Sequence, residues 1–337
     1  MKIIIALGNR EDTGGPTKYA ENLAREFSKR GHNVAFISYG KFLRSLPSGA
    51  RHLCYALKLL PAAARADAML AFDTLTVGAP AALVSIVTRT PLIIRVGGDF
   101  LWEQYVERSG DLVKLSRFYQ ETKPRWTRKE KRIFSLTAWA VAHADRLVFN
   151  ADFLRQLWRQ AYSLDLSHAS IVENLYPPRK AGEKPTAPVF VSAGRNIKLK
   201  NEALFRRVFE SLKQKYPDVT LDTASLPAAE HQKRVAQCYA VVLASVSDVS
   251  PNAIIDAVAY GKPFICTQDT GLIERLHDTG LFVDTQNEEV LRQAVETLLK
   301  SEEYERIAAR VRAFSFVRTW EQVADDFLSV IHNTCAS

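Results

Sequence analysis

The sequence has few cysteines, and their spacing gives no recognisable site. Among its 337 residues there are four, which lie far apart and form no C-x-x-C pair: Cys54, Cys238, Cys266 and Cys335. Structural zinc sites and disulfide frameworks both depend on paired or regularly spaced cysteines. We therefore expect neither, and we expect these thiols to lie in the core.

Long apolar runs are also missing. A helix that crosses a bilayer needs about 20 apolar residues, whereas the longest apolar runs, 75–87 and 136–142, are shorter and soon followed by charged or histidine residues. The first apolar run, Lys2–Leu7, leads into Gly-Asn-Arg-Glu-Asp, which is unlike a signal-peptide cleavage site. We predict no transmembrane segment, a cytoplasmic location, and a first buried strand at Lys2–Leu7.

Several catalytic signatures are absent as well. The chain has no G-x-S-x-G elbow, no P-loop and no histidines at metal-ligand spacing. The turn after the first strand is not the G-x-G-x-x-G of dinucleotide-binding proteins. Hydrolase and kinase functions are therefore disfavoured.

What the sequence does contain is an alternation of short apolar runs with helical patterns. This alternation predicts parallel α/β construction, and the length of 337 residues with 47% apolar residues favours two domains. The predicted strands of the first half are 2–7, 33–39, 68–72, 91–96, 146–149 and 170–173, and those of the second half are 188–193, 220–223, 241–245, 263–267 and 281–283. Four prolines within residues 176–188 indicate a linker. We place the domains at 1–175 and 188–313, the linker at 176–187 and a C-terminal amphipathic helix at 314–337.

The net charge of +8 is concentrated in one segment. Residues 114–132 hold eight basic residues against Glu121 and Glu130, which gives this segment a charge of +6, with aromatic residues interleaved. An anionic membrane surface or a phosphorylated acceptor fits this pattern. Nucleic acid is a competing partner, although no recognition motif accompanies the charge. A solvated basic helix whose aromatic residues pack inward explains the pattern equally well.

The segment 247–263 carries two carboxylates around a predicted helix start. Ser250 is suited to the N-cap, Pro251 to the first helical position, and Gly261 with Pro263 to the stop. The free N–H groups at such a helix start can bind a phosphate. Asp248 precedes the cap and Asp256 lies about two turns into the helix. Taken by itself, this segment is explained equally well as an ordinary capped helix with no function.

Two strand-to-helix loops add further groups. Gly14 and Gly15 follow the first strand, where backbone N–H groups could approach a phosphate or sugar closely. Arg195 and Lys200 follow the strand that opens the second half, and two cations there can neutralise a diphosphate. Each loop alone is a weak signal.

Together these residues resemble the retaining glycosyltransferases of family 4. The resemblance covers nearly the whole chain and rests on Gly14-Gly15, on Gly194-Arg195 to Lys200-Asn201, and on the acidic pair with its Ala257-to-Pro263 tail. It implies the GT-B architecture, in which two Rossmann-like domains with parallel sheets face each other and a C-terminal helix crosses back to the first domain.

The resemblance also implies roles for residues of this chain. Asp248 would contact the transferred sugar and Asp256 the nucleotide ribose. Arg195 and Lys200 would hold the diphosphate. The backbone amides of four further residues would also bind the diphosphate: Gly14, Gly15, Asn252 and Ala253. No D-x-D pair, the usual holder of a divalent ion, occurs in the chain, so we expect metal-independent chemistry, no cofactor, and a UDP- or GDP-linked sugar as donor.

The chain departs from the family pattern at three places. The acidic pair, usually two glutamates, is Asp248 and Asp256, and Val-Ser-Pro replaces the usual Gly-Phe-Gly. An aspartate is shorter than a glutamate by one methylene, about 1.5 Å. The histidine usual after the fourth strand is missing from Arg95-Val-Gly-Gly-Asp99, which makes Asp99 the candidate near the reaction centre.

The sequence therefore predicts transfer of a sugar, with retention, from a nucleotide diphosphate sugar to an acceptor hydroxyl in lipid-linked or surface glycan synthesis. The enzyme would act in the cytoplasm or on the inner face of the membrane, with residues 114–132 as the membrane contact. Two alternatives of the same fold remain: a nucleotide-sugar epimerase and a catalytically degenerate nucleotide-sugar-binding protein.

Overall fold

The computed structural model describes residues 1–9, 15–192 and 197–336. The strands are β1 (Lys2–Leu7), β2 (Asn33–Ser38), β3 (Ala68–Ala71), β4 (Leu92–Val96), β5 (Arg146–Phe149), β6 (Ala169–Ile171), β7 (Val189–Val191), β8 (Thr220–Asp222), β9 (Ala240–Leu243), β10 (Phe264–Thr267) and β11 (Leu281–Val283). The helices are α1 (Gly15–Lys29), α2 (Gly40–Ser45), α3 (Ser48–Ala63), α4 (Gly78–Thr88), α5 (Phe100–Ser109), α6 (Leu115–Thr122), α7 (Arg128–Ala142), α8 (Asp152–Tyr162), α9 (Glu202–Lys213), α10 (Ala228–Gln237), α11 (Asn252–Ala259), α12 (Ile273–Leu276), α13 (Glu288–Leu299), α14 (Ser301–Ala313) and α15 (Trp320–Cys335). Each predicted strand is present.

The chain divides into two compact units. Unit 1 comprises residues 1–101, 125–175 and 319–337, and unit 2 comprises residues 102–124 and 176–318. Each unit contains one fully parallel sheet, of order β2-β1-β3-β4-β5-β6 in unit 1 and β11-β10-β9-β7-β8 in unit 2. The central strands are buried on both faces, which is why they read as continuous apolar runs in the sequence. The predicted pair of Rossmann-like domains is confirmed.

The C-terminal helix belongs to the first unit. On one face of the unit 1 sheet, α15 packs against α1, and the ring of Tyr19 makes an edge contact with Trp320 at 4.9 Å. Phe327 is fully buried in the same cluster. The helix begins at Trp320, behind a capping box formed by Thr319 and Gln322, and not at residue 314 as predicted.

Residues 176–187 and 314–318 are part of unit 2. Tyr176 and Arg318 form an isolated antiparallel bridge, and the guanidinium of Arg179 donates to the carbonyl of Val311 at 2.8 Å. Phe316 packs against Tyr176 at 5.2 Å instead of extending the C-terminal helix. The prolines of this segment do interrupt regular structure, but hydrogen bonds attach the segment to unit 2.

The basic segment 114–132 is divided between the two units. Its first part, with α6, lies in unit 2, and its second part, with the start of α7, lies in unit 1. Lys114 is only 9% exposed and pairs with Asp284 at 2.9 Å. Phe118 and Trp126 are buried as well. The aromatic residues pack inward because burial of their large rings is strongly favourable, so the segment as a whole does not form one amphipathic face.

Among the described helices, none is both long enough and apolar enough to cross a membrane.

Candidate functional site

The candidate site in unit 2 lies at the carboxyl ends of β7 and β9. The strand order reverses between these two neighbouring strands, and open α/β sheets bind ligands at such a switch point. Lys200 follows β7 and Asp248 follows β9. Their side chains form an ion pair of 2.7 Å between Nζ and Oδ2, and Nζ also donates to Ser245 at 3.2 Å. The fold thus joins two predicted site residues that are 48 positions apart in the chain.

Backbone pairing beyond the strands holds Asp248 in place. Its N–H donates to the carbonyl of Asp269 at 3.1 Å, and it forms an isolated parallel bridge with Thr270. The N–H of Gly271 donates to the carbonyl of Val249 at 3.0 Å. The loops after β9 and β10 therefore continue the ladder of the sheet and fix the backbone that presents the Asp248 carboxylate.

Helix α11 starts next to this ion pair. Its N-cap is Pro251 and has no side-chain hydrogen bond, so the predicted cap at Ser250 is wrong by one position. Asn252 and Ala253 are the first helical residues, and the first amides of a helix have no partner within it. Asn252 is exposed, which leaves this helix start accessible to a bound anion. The left-handed backbone of Gly261, with φ of 66°, follows the end of the helix as expected.

Asp256 lies elsewhere on the same helix and does not meet the ion pair. Its Oδ1 accepts a hydrogen bond from Nε2 of Gln232 on α10 at 3.2 Å. Burial raises the pKa of the Asp256 carboxyl, while Lys180, His231 and the Gln232 hydrogen bond oppose that rise. The same burial lowers the pKa of the neighbouring His231. The two predicted acids thus have different surroundings.

Two of the predicted site residues, Gly14 and Arg195, lie outside the described ranges. Gly15 is described, and it is the exposed first residue of α1. Lys200 ends a short 3₁₀ turn, Lys198–Lys200, just before α9. The predicted roles of Gly14 and Arg195 therefore remain predictions from the sequence.

Asp99 occupies a buried position in unit 1. It is 1% exposed, and its Oδ2 accepts a hydrogen bond from the indole Nε1 of Trp158 at 2.9 Å. This carboxylate orients a large core side chain, and in the structure it has almost no surface to offer to a substrate. Its predicted place at the reaction centre remains without geometric support.

A different group at the carboxyl edge of the unit 1 sheet carries unused hydrogen-bonding capacity. Arg95, on β4, is 7% exposed, and its guanidinium lies 4.0 Å from the ring centroid of Tyr19 and donates to Asn174 at 2.9 Å. Within the described part of the chain, Nε of Arg95 and Oδ1 of the buried Asn150 have no partner. Buried polar atoms without partners are uncommon and costly. These two atoms mark the part of unit 1 best suited to a polar ligand.

A second support of the candidate site, the cap of helix α6, is not indicated by any pattern in the sequence. The backbone N–H of Leu115 donates to Ser247 Oγ at 2.8 Å, and that of Ser116 donates to Asp269 Oδ2 at 3.3 Å. Ser247 in turn donates to the same Asp269 oxygen at 2.5 Å. Ser247 and Asp269, which are 22 positions apart, therefore cap a helix that lies more than 130 residues before them in the chain. No local sequence pattern predicts such a long-range cap.

Comparison with known proteins identifies the domain that contains this candidate site. Residues 189–301 match the family model described as glycosyl transferases group 1. The chain carries a glycosyltransferase domain. That domain includes Lys200, Asp248, Asn252 and Asp256, and the prediction of a glycosyltransferase enzyme is confirmed. None of the curated protein sequences compared with the chain matches it significantly.

Solved structures extend the likeness to the whole chain. The structure of Anabaena Alr3699/HepE in complex with UDP and glucose aligns with a TM-score of 0.70 at 14% identity, over 98% of this chain and 99% of that one. Sucrose-phosphate synthase from Thermosynechococcus elongatus aligns with a TM-score of 0.69 at 13% identity, over 99% of both chains. The catalytic domain of starch synthase IV from Arabidopsis thaliana, bound to ADP and acarbose, gives 0.67 at 11% identity, over 100% of this chain and 99% of that one. At these identities the likeness establishes the fold, which is GT-B.

Proposed function

We propose that this protein transfers a sugar, with retention of the anomeric configuration and without a metal ion, from a nucleotide diphosphate sugar to an acceptor hydroxyl. The observation that carries the proposal is the Lys200–Asp248 ion pair at the switch point of a group 1 glycosyltransferase domain. It pairs a cation suited to a phosphate with a carboxylate suited to sugar hydroxyls. UDP and glucose in one similar structure, and ADP in another, support a nucleotide-sugar donor.

In the proposed reaction the acceptor oxygen bonds to the anomeric carbon on the face from which the diphosphate leaves. The bond between that carbon and the leaving phosphate oxygen breaks, and the leaving oxygen takes the acceptor proton. Negative charge develops on the diphosphate, so Lys200, Arg195 and the amides of Asn252 and Ala253 would stabilise the transition state more than the bound donor. No enzyme nucleophile is needed. Asp248 would hold the sugar once its partner Lys200 engages the phosphate.

The acceptor is proposed to be a growing glycan, lipid-linked or destined for the cell surface, and the protein is placed in the cytoplasm at the inner face of the membrane. Unit 1 would bind this acceptor at the carboxyl edge of its sheet, where Arg95 and Asn150 have unused hydrogen-bonding atoms. Hydroxyl groups of a saccharide can satisfy a donor and an acceptor of this kind. A degenerate binding protein of the same fold would bind the donor without turning it over.

A thermal-shift panel of UDP, GDP, ADP, TDP and CMP tests the donor class. A ligand that binds only the native state at about 100 times its Kd stabilises that state by about 2.7 kcal/mol, so the matching nucleotide should raise Tm by several degrees. Lys200→Met should remove most of that rise. The control Lys213→Met, at a surface pair with Glu210 on α9, should retain it.

The absence of a shift with every nucleotide at millimolar concentration would contradict the proposal. Where one nucleotide does bind, incubation with its sugar conjugates separates the alternatives. Slow hydrolysis to free sugar and nucleotide supports a transferase, an epimerised sugar indicates the epimerase, and complete inertness indicates the binding protein.

A further inference from the structure

The helices α3 and α4 present apolar side chains to solvent on one side of unit 1. On α4, the outward positions Leu83, Ile86 and Val87 are 42%, 50% and 65% exposed. Their spacing of three and four residues places them in one stripe of the helix. On α3, Leu53 and Leu57 are 57% and 61% exposed, four residues apart.

These two stripes adjoin each other, because α3 packs against α4. Helix α4 carries no charged residue, and its two hydroxyl residues beyond the first turn use their side chains internally: Ser85 donates to the carbonyl of Thr90, and Thr88 donates to that of Val84. A surface helix of a globular protein normally shows polar residues on its outer face. The outer face of α4 is apolar throughout, so solvent is a poor partner for it.

Two neighbouring helices continue this surface at its edges. Helix α2 packs against α3 and presents Phe42, which is 76% exposed and is the most exposed of the large apolar side chains. Helix α7 packs against α4 and presents Leu136, 39% exposed. Partly exposed Trp139 lies three positions further along α7. We call the outward residues of α2, α3, α4 and α7 the apolar face.

The helices of the apolar face carry mainly positive charge. Residues 40–66 contain five basic residues and no acidic one: Lys41, Arg44, Arg51, Lys58 and Arg65. Exposed Arg89 directly follows the last residue of α4. The first turns of α7 contribute Arg128, Lys129, Lys131 and Arg132. The single acid of α7, Glu130, is 3% exposed and is used in the capping box of Thr127. The helices that form this surface therefore carry an excess of positive charge.

We infer that the apolar face docks the protein on an anionic lipid bilayer. Its apolar side chains would enter the boundary between headgroups and acyl chains, and the surrounding lysines and arginines would contact lipid phosphates. A second copy of this chain is a poorer occupant, because a symmetric dimer would bring two faces of the same positive sign together. The surface includes the second part of segment 114–132, at the start of α7, but not α6, and the inference rests on the proposed lipid-linked acceptor.

Vesicle sedimentation of the full-length protein tests the inference. Phosphatidylcholine vesicles that contain phosphatidylglycerol should retain the protein at low salt. The variant Leu57→Ser with Val87→Ser should lose about 100-fold in partition coefficient, about tenfold for each apolar side chain that no longer enters the bilayer. The control Val317→Ser alters an apolar residue 41% exposed in unit 2 and should bind like the parent protein.

A second pair of variants tests the charge. Lys41→Gln with Lys129→Gln should weaken binding to the anionic vesicles by about fivefold per charge and leave binding to pure phosphatidylcholine unchanged. Lys233→Gln with Lys300→Gln, two exposed lysines of unit 2, is the matched control. High salt should reduce the difference between parent and charge variant.

Equal retention of the parent protein and the Leu57→Ser, Val87→Ser variant would overturn the inference. The inference would also be overturned if the parent protein did not bind vesicles but formed a concentration-dependent dimer that this variant abolishes. A second copy of the chain would then cover the apolar face. The assay needs no nucleotide. If the parent protein turns over its donor but does not bind vesicles, the membrane contact alone is rejected. If the parent protein binds vesicles as predicted but turns over no donor, the proposed reaction alone is rejected.

Discussion

At the scale of single residues, the ion pair of Lys200 with Asp248 is the contact that brings two predicted site residues together. The carboxylate reaches Nζ at 2.7 Å, and its backbone is fixed by the pairing of the loops after β9 and β10. The separate surroundings of Asp256, beside Gln232, show that the two acids need not act as a pair.

Arg195 offers the sharpest residue-level prediction. Arg195→Ala should lower kcat by about 100- to 1000-fold, because a cation that meets charge formed only in the transition state contributes mainly to turnover. Donor turnover under saturating conditions measures the effect. Arg207→Ala, at an exposed ion pair with Glu288, is the control and should leave kcat unchanged. Normal turnover in a correctly folded Arg195→Ala protein would end the role proposed for this residue.

At the scale of elements, most boundaries follow from local sequence. Alternating apolar runs predicted each strand of both sheets. Other boundaries depended on long-range contacts. Helix α15 starts at Trp320 because Phe316 packs on Tyr176, and α6 belongs to unit 2 because Ser247 and Asp269 cap it.

The cap of α6 leads to an element-level prediction. Asp269 is 5% exposed and accepts hydrogen bonds from Ser247 and from the amide of Ser116, so Asp269→Ala leaves buried donors without a partner. We expect a loss of about 1–3 kcal/mol in the free energy of unfolding. Faster amide exchange at the start of α6 should accompany it. Asp278→Ala, at a side chain 87% exposed, should change neither quantity.

Unaltered exchange at residues 115–118 in Asp269→Ala would show that this cap does not hold α6. A stable variant with faster exchange would instead show that the cap orders the segment without contributing to global stability.

At the scale of the whole molecule, stability should depend on pH through partly buried histidines. Burial lowers the pKa values of His32, His52 and His231 in the folded protein. Their unfolded pKa is about 6.5, so the unfolded chain binds more protons below that pH. The stabilisation from the neutral folded histidines is present above about pH 6.5 and is lost as the pH falls below it.

Thermal unfolding between pH 7.5 and about 5 measures this dependence. Tm should fall over the range, and the fall should be smaller in His231→Asn than in the parent protein. The control His277→Asn alters a histidine 63% exposed and should follow the parent curve. A Tm that is constant or rises towards acid pH would contradict the prediction.

The sequence by itself determined the class of fold, the strands, and which loops carry the charged groups of the candidate site, because apolar periodicity and glycine or proline stops are local properties. Only the tertiary structure decided which of those groups meet. It joined Lys200 to Asp248, separated Asp256 from them, and buried Asp99 beneath Trp158. It also divided the basic segment and left the apolar face of α2, α3, α4 and α7 uncovered. Contacts between distant positions depend on how the sheets and helices pack, and no local pattern encodes that.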